Sequence, residues 1–254
     1  MKTIFPALIL ALLPFAAANC AASAAKTAKT PAAAAHKAEP AQDKLASAKT
    51  AFGKQDYQTA LARLKPQAER GSQEAQYLAA LCYQRGSKGL EANPKQAFEW
   101  MSKAAKQGYA PAQLALAVMY YDGKGTEFSH KQAAEWFGKA AEQGLAEAQF
   151  NYGFMYSRGR GVEKDFAKAQ EWWLKAARQG HADAMLFTGS LYEHGDGVAQ
   201  NDVEAMKWYI LATDNGAELA KEFQAKIQPK LNKKELASAR KAAQDFRSAN
   251  PSVH

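Results

Sequence analysis

The stretch AKAQEWWLKAARQG, Ala167 to Gly180, decides how this chain folds. Its Trp172 recurs at a spacing of 36 residues in both directions, giving Trp100, Trp136, Trp172 and Trp208. The closing glycine keeps the same interval at Gly108, Gly144, Gly180 and Gly216, and so do Ala112, Ala148, Ala184 and Ala220. Further on, Tyr120, Tyr156 and Tyr192 repeat in step, as do the doublets Gly123/Gly125, Gly159/Gly161 and Gly195/Gly197. An earlier copy carries one extra residue, with Gly71, Ala75, Tyr83 and Gly86 standing 37 before their counterparts. A period of roughly 20 to 50 residues marks a stacked array, because one unit cannot bury its own apolar face.

Each unit reads as two helices. Ala97, Trp100, Met101, Ala104 and Ala105 fall on one stripe with i, i+3, i+4 spacing. Four residues before each opening Ala stand Asp56, Asn93, Ser129, Asp165 and Asn201, whose side-chain oxygens can cap a helix start. The first helix stops at the recurring glycine, which accepts the left-handed conformation of a helix C-terminus. The second helix carries Ala80, Ala117, Gly153 and Gly189 at its centre, small enough for helices to approach closely. The Trp column has two readings, a ladder for sugar rings or bases and a knob that fills the space left by the stripe's alanines. The packing reading is preferred, and it sets the cost of Trp172→Ala at about 3–5 kcal/mol. Glu99/Lys103, Glu135/Lys139 and Glu171/Lys175 read as i,i+4 pairs on a solvated face, each contributing about 0.2–0.5 kcal/mol.

Outside the array the composition changes. Of the 254 residues, 47% are hydrophobic and 23% charged, which excludes wholesale disorder and a polytopic membrane protein. The net charge of +8 is not a property of the body, since residues 51–216 hold 19 basic and 19 acidic side chains. Residues 25–50 carry +3 and residues 217–254 carry +4. Met1-Lys2, an apolar run from Ile4 to Phe15 and the small residues through Ala24 read as a signal peptide over 1–24. The chain is therefore expected in the periplasm or outside the cell. A lipoprotein acylated at Cys20 is the alternative, although Asn19 fits such a site poorly, and membrane attachment is otherwise not expected. Residues 25–42, rich in Ala, Lys, Thr and Pro, have little to bury and read as a flexible tether.

The string Ala167-Lys168-Ala169 through Trp172, Lys175-Ala176-Ala177 and Gln179-Gly180 to Tyr192, Gly195 and Gly197-Val198 resembles the Sel-1-like repeat (SLR) family of tetratricopeptide-like solenoids. The resemblance runs over about residues 54–228. It implies an all-α fold, an α/α superhelical solenoid of about five 36-residue helix-pair repeats spanning 43–228. A capping helix around Leu45, Ala48 and Phe52 would close the N-terminal end. The segment 229–254 would supply the other cap, starting at an Asn232/Glu235 capping box and reaching about Ser248. The resemblance implies a non-enzymatic role, binding a protein or peptide partner, and secreted bacterial members are often envelope or host-interaction proteins.

One branch of the family has a cysteine pair in each repeat and is linked to penicillin binding, which makes a peptidoglycan or β-lactam binder or hydrolase the alternative function. Here Cys82 is the only cysteine in the array, beside Tyr83, and it reads as a small buried apolar residue. The S-x-x-K match at Ser23 to Lys26 falls at the leader boundary, where nothing preorganises a nucleophile. Histidines 36, 130, 181, 194 and 254 show no H-x-x-x-H spacing, so no metal site is expected, and His130, His181 and His194 read as exposed. No catalytic residue and no cofactor is expected either. The G-x-G turns follow helices, not strands, and are not phosphate loops.

In such solenoids the inward face of each first helix lines a concave groove. The candidate partner-binding residues on it are Phe98, Glu99, Ser102 and Lys106, then Glu135 and Glu142, then Glu171, Leu174 and Arg178, with Lys207 in the fifth copy. Phe98, read as exposed, and Gly138 differ between copies while the stripe does not, so these positions are either specificity determinants or unconstrained surface. Beside Lys207, Ile210 and Leu211 form an apolar patch covered by the final helix or offered to a partner. A third reading has the basic ends binding an anionic surface with the array as a spacer. Nucleic acid is not expected, given export and a neutral body.

Overall fold

The computed structural model describes residues 41–254, so the expected leader, Cys20, Ser23 and nearly all of the tether lie outside the described residues. Among the described residues the fold is all-α: twelve α-helices, one 3-10 turn and a single bridge between Ser87 and Leu90. In chain order they are α1 (Ala41–Gly53), α2 (Tyr57–Glu69), α3 (Gln73–Arg85), α4 (Pro94–Lys106), α5 (Ala110–Asp122) and α6 (His130–Glu142). They continue as α7 (Ala146–Arg158), α8 (Phe166–Ala177), α9 (Ala182–His194), α10 (Asp202–Asp214), α11 (Ala220–Ile227) and α12 (Lys233–Ala249). The chain divides into two compact units with the boundary inside α6, after Trp136. In the first, α1 through α5 pack each on the next; in the second, α7 through α11 do the same and α12 packs on α10. This is the helix-pair stacking of an α-solenoid.

Helix starts follow the sequence closely. Asp56, Asn93, Ser129 and Asp165 each accept a hydrogen bond from the backbone N–H three residues on, at 3.1, 3.0, 3.3 and 3.0 Å. Asn201 accepts two, from Val203 and Glu204, both at 3.0 Å. These bonds satisfy donors that a helix N-terminus leaves orphaned. The Asn232/Glu235 capping box forms in both directions at the start of α12. At the far end of α5, Gly123 takes the left-handed conformation, and Gly125 follows where a Cβ would lie 2.0 Å from the Pro94 carbonyl oxygen. The second glycine of the doublet thus lets the loop pass against the start of the first helix of its own pair.

The core differs from expectation in one column. In that column the fully buried side chains are Met101, Phe137, Trp173 and Tyr209, each one residue after the Trp series. Trp100, Trp136 and Trp208 are buried at the margin of the stripe, and Trp172 is only half-buried. At 100° per residue, the residue after each Trp points closer to the middle of the alanine stripe. Trp172 is therefore not the knob, and the 3–5 kcal/mol expectation passes to Trp173. Two of the three solvated ion pairs also change. Lys103 stands 4.1 Å above the Trp100 ring and Lys175 3.7 Å above Trp172, so neither forms the i,i+4 pair with its glutamate. A cation on an indole face contributes about 0.5–1 kcal/mol at an exposed site, comparable with the ion pair it replaces.

Candidate functional site

The candidate residues divide between the two units. In the first, Glu99, Lys106 and Glu135 are exposed, and Glu99 accepts a 3.0 Å hydrogen bond from Gln96. Phe98 is not exposed as expected: it is half-buried, its ring edge-on to Tyr120 with centroids 5.3 Å apart. Ser102 is half-buried beside it on α4. In the second unit, Glu142, Glu171 and Arg178 are exposed and Leu174 is half-buried. Lys207 is already engaged: it pairs with Glu204 at 3.0 Å and lies 4.8 Å over Trp208 and 5.9 Å over Phe246 of α12. The apolar patch beside it is likewise taken up, since Leu211 is fully buried and α12 packs on α10.

What the second unit does bring together is an aromatic cluster between α7 and α8. Tyr152 and Tyr156 share a 3.1 Å hydrogen bond between their hydroxyls, and the Trp172 ring lies 5.3 Å from that of Tyr152. All three are half-buried. Gly138 of α6 makes room for them, because a Cβ there would stand 3.1 Å from Tyr152 Cζ. Lys175 covers Trp172, and Lys168 lies 5.4 Å over Tyr156 while reaching Asp165 at 3.4 Å. Burial, the bond with Tyr156 and the Glu142 carboxylate all hold the Tyr152 phenol in its neutral form. Sequence reasoning singled out Gly138 but missed Tyr152, which has no aromatic counterpart at Leu116 or Thr188 in the neighbouring copies. Phe128, in the loop after α5, was missed as well; it is strongly exposed, edge-on to His130 at 4.4 Å.

A second missed feature is a glutamine column. Gln76, Gln113 and Gln149 follow the recurring Ala75, Ala112 and Ala148, and all three are buried. Their side-chain amides donate to the carbonyls of Ala68 (2.9 Å), Ala105 (3.2 Å) and Ala141 (3.2 Å), in the last turns of the preceding helices. Gln76 in turn accepts from Gln107 at 2.7 Å, and Gln149 from Gln179 at 2.8 Å. The repeat of Ala-Gln at the array's own period was the available signal.

The fourth copy has Met185 at that position, and His181 is half-buried where exposure was expected. Its Nδ1 accepts from the Ala184 N–H, so Nε2 carries the proton and donates to Glu147 at 3.2 Å. His130 is half-buried too, its ring 5.1 Å from Tyr121. His194 is exposed.

Nothing in these surroundings assembles a nucleophile. Cys82 is fully buried, and burial pushes its thiol up to about 12 against a weaker opposing pull from Arg85. An S-x-x-K match not noticed in the sequence, Ser238 to Lys241, lies exposed on α12. Among the described residues no group of three or more His, Cys, Asp or Glu side chains could hold a metal ion.

Helix pairs stacked at a fixed 36-residue period, with capped first helices and glycine-doublet turns, define the class as an α-solenoid repeat protein. The Sel1 repeat family matches residues 73–109, 110–145, 146–181 and 182–216, more than half of the sequence, and the chain belongs to that family. The match opens each repeat at the second helix of a pair, and α2 and α11 lie outside it. Among solved structures, the chain is similar to a protective antigen of uropathogenic Escherichia coli strains that displays an SLR fold, with 37% identity over 76% of this chain and a TM-score of 0.69. It spans 41% of the length of that antigen. A Sel1 repeat protein from Oxalobacter formigenes is 28% identical over 79% of this chain and 84% of its own length, again with a TM-score of 0.69. A comparison with curated proteins found no match. Sel1 repeats generally serve as non-enzymatic scaffolds for protein–protein interaction.

Proposed function

We propose that the chain is a non-enzymatic scaffold of the bacterial cell envelope that holds a protein or peptide partner on its second unit, anchored at Tyr152 and Tyr156 of α7 and at Trp172 of the following first helix, α8. The observation that carries this reading is the half-exposed aromatic cluster over Gly138, flanked by Lys168 and Lys175. Tyr and Trp give large contact area at small entropic cost and are enriched where binding energy concentrates. The two lysines favour a segment that sets a carboxylate beside an apolar or aromatic side chain. The general role of Sel1 repeats supports the scaffold, and the likeness to a protective antigen supports a place in the envelope.

The test is photo-crosslinking in cells from positions 174 and 178, followed by capture of the tagged chain. One envelope protein should be enriched in stoichiometric amount, and Lys168→Glu/Lys175→Glu should abolish its capture while lowering the melting temperature by no more than the few degrees that loss of the two lysine–ring contacts costs. Folded bait that enriches nothing, or capture indifferent to the double variant, overturns the reading.

A further inference from the structure

The last helix carries a charge asymmetry that repeat packing does not use. α12 turns Ala239 and Ala243, both fully buried, toward the protein, and its Phe246 ring meets Trp208 at 4.9 Å. Its opposite side presents Lys233, Lys234, Arg240 and Lys241, all exposed. At 100° per residue these four span an arc of roughly 120°, shared only with Ala237, Gln244 and Ser248. No carboxylate falls inside that arc. Glu235 is bound to the Asn232 N–H in the capping box, and Asp245 lies at the margin. Arg247, also marginal, is paired with Asp214. Lys230, exposed in the turn before the helix, adds a fifth cation next to the stripe. None of the five forms an ion pair among the described residues. Like charges crowded on one helix face repel one another, and no ion pair among the described residues offsets that cost.

We propose that this face of α12 docks the protein on an anionic lipid membrane surface through its phosphate headgroups. A helix face bearing four or more Lys and Arg has the charge density that anionic bilayers attract, each cation adding to the affinity. The side chains between the cations decide the class of partner. Ala237, Gln244 and Ser248 offer no aromatic to stack on bases and no apolar anchor for a protein pocket. The apolar side of the helix is spent on the core, so attachment is electrostatic and reversible, without insertion. It therefore weakens with salt.

The full chain is to be sedimented with vesicles of phosphatidylcholine alone and of phosphatidylcholine mixed with phosphatidylglycerol, at low and at physiological salt. Binding is expected only to the anionic vesicles, weakening as salt rises. Lys233→Gln/Lys234→Gln/Arg240→Gln/Lys241→Gln should lower the affinity on the order of tenfold or more, and Arg240→Gln/Lys241→Gln alone by an intermediate factor, each with thermal unfolding at or above that of the wild type. Equal binding to both vesicle types overturns the proposal, as does wild-type binding by the variants. Tighter binding to duplex DNA than to the anionic vesicles also overturns it, and assigns the face to nucleic acid.

Discussion

Gly153 of α7 lies directly against the indole of Trp173 on α8: a Cβ at position 153 would stand 2.7 Å from both Cδ1 and Nε1. The contact is fixed further by the indole N–H, which donates to the Phe150 carbonyl at 3.0 Å. Gly189 stands in the same relation to Tyr209, at 2.6 Å. In the earlier copies the corresponding second-helix position is Ala80 or Ala117, and the buried first-helix residues are Met101 and Phe137. The array thus sets its smallest residue against its most rigid knobs.

Gly153→Ala is expected to cost about 1–3 kcal/mol, because an inserted methyl must displace a ring held by a hydrogen bond. Trp173→Met alone loses packing and leaves a cavity. The double variant Gly153→Ala/Trp173→Met restores the Ala and Met found at these positions in the first full copy, and should lose less than the sum of its parts. Denaturant unfolding of the three variants reads the coupling; strict additivity would show that the two residues do not share the space.

The two adjacent tryptophans separate edge from core. Trp173→Ala should cost about 3–5 kcal/mol. Trp172→Ala removes a half-buried ring and its lysine contact, and should cost about 1–2 kcal/mol. Thermal unfolding of both variants checks the order, and an equal loss would return Trp172 to the core.

Period, helix pairing, caps and turns were legible because each depends on local chemistry repeated in register. Asp56, Asn93, Ser129, Asp165 and Asn201 cap their helices as read, and the Asn232/Glu235 box closes as read. The column beside Trp172 was not legible, since conspicuous spacing identifies a repeated residue but not its angle to the neighbouring helix. Phe98 reads as exposed on a helical wheel, which shows one helix at a time, and it is Tyr120 on the adjoining helix that covers it. The aromatic cluster was missed for the same reason: it needs Gly138, Tyr152 and Trp172 from three helices.

The buried glutamines are expected to carry measurable stability. Gln149→Leu leaves the Ala141 carbonyl without its side-chain donor and deprives Gln179 of an acceptor. A loss of about 0.5–1.5 kcal/mol per hydrogen bond follows, since the Ala141 carbonyl keeps the Gly144 N–H and the exposed Gln179 keeps the Gly144 carbonyl. Gln179→Leu should cost less alone, and the pair should show positive coupling in a double-mutant cycle. Independent effects would reduce the column to separate helix caps.

Acid should weaken the contact between α7 and α9. Burial works to raise the Glu147 carboxyl, but the hydrogen bond and charge of His181, with the Asn151 amide, outweigh it and hold the group below its usual 4.5. A depressed carboxylate stabilises fully above its unfolded value, and that contribution is lost as pH falls through the folded value. Glu147→Gln should therefore lose about 1–2 kcal/mol at neutral pH and converge with the wild type between about pH 5 and 3. Asp183 runs the other way, since burial raises it above 3.8 despite the counter-pull of His181, so Asp183→Asn should not lose stability at neutral pH. Melting temperatures of the variants across that range test both signs, and a constant offset for Glu147→Gln would dismiss the pair.

Cys82 offers the sharpest check on any covalent chemistry in the array. A thiol pushed up to about 12 by burial holds almost no thiolate at neutral pH, and the thiolate is the attacking species. In a Cys20→Ser background, labelling of Cys82 by a disulfide reagent should therefore follow global unfolding, with the same denaturant midpoint as the helical signal. Rapid stoichiometric labelling of the native protein would mean that α3 opens locally and exposes a usable nucleophile, and a cysteine-dependent activity would then have to be weighed against the scaffold. Labelling gated by unfolding instead makes Cys82 a packing residue, equivalent to Met119, Met155 and Leu191 in the later copies.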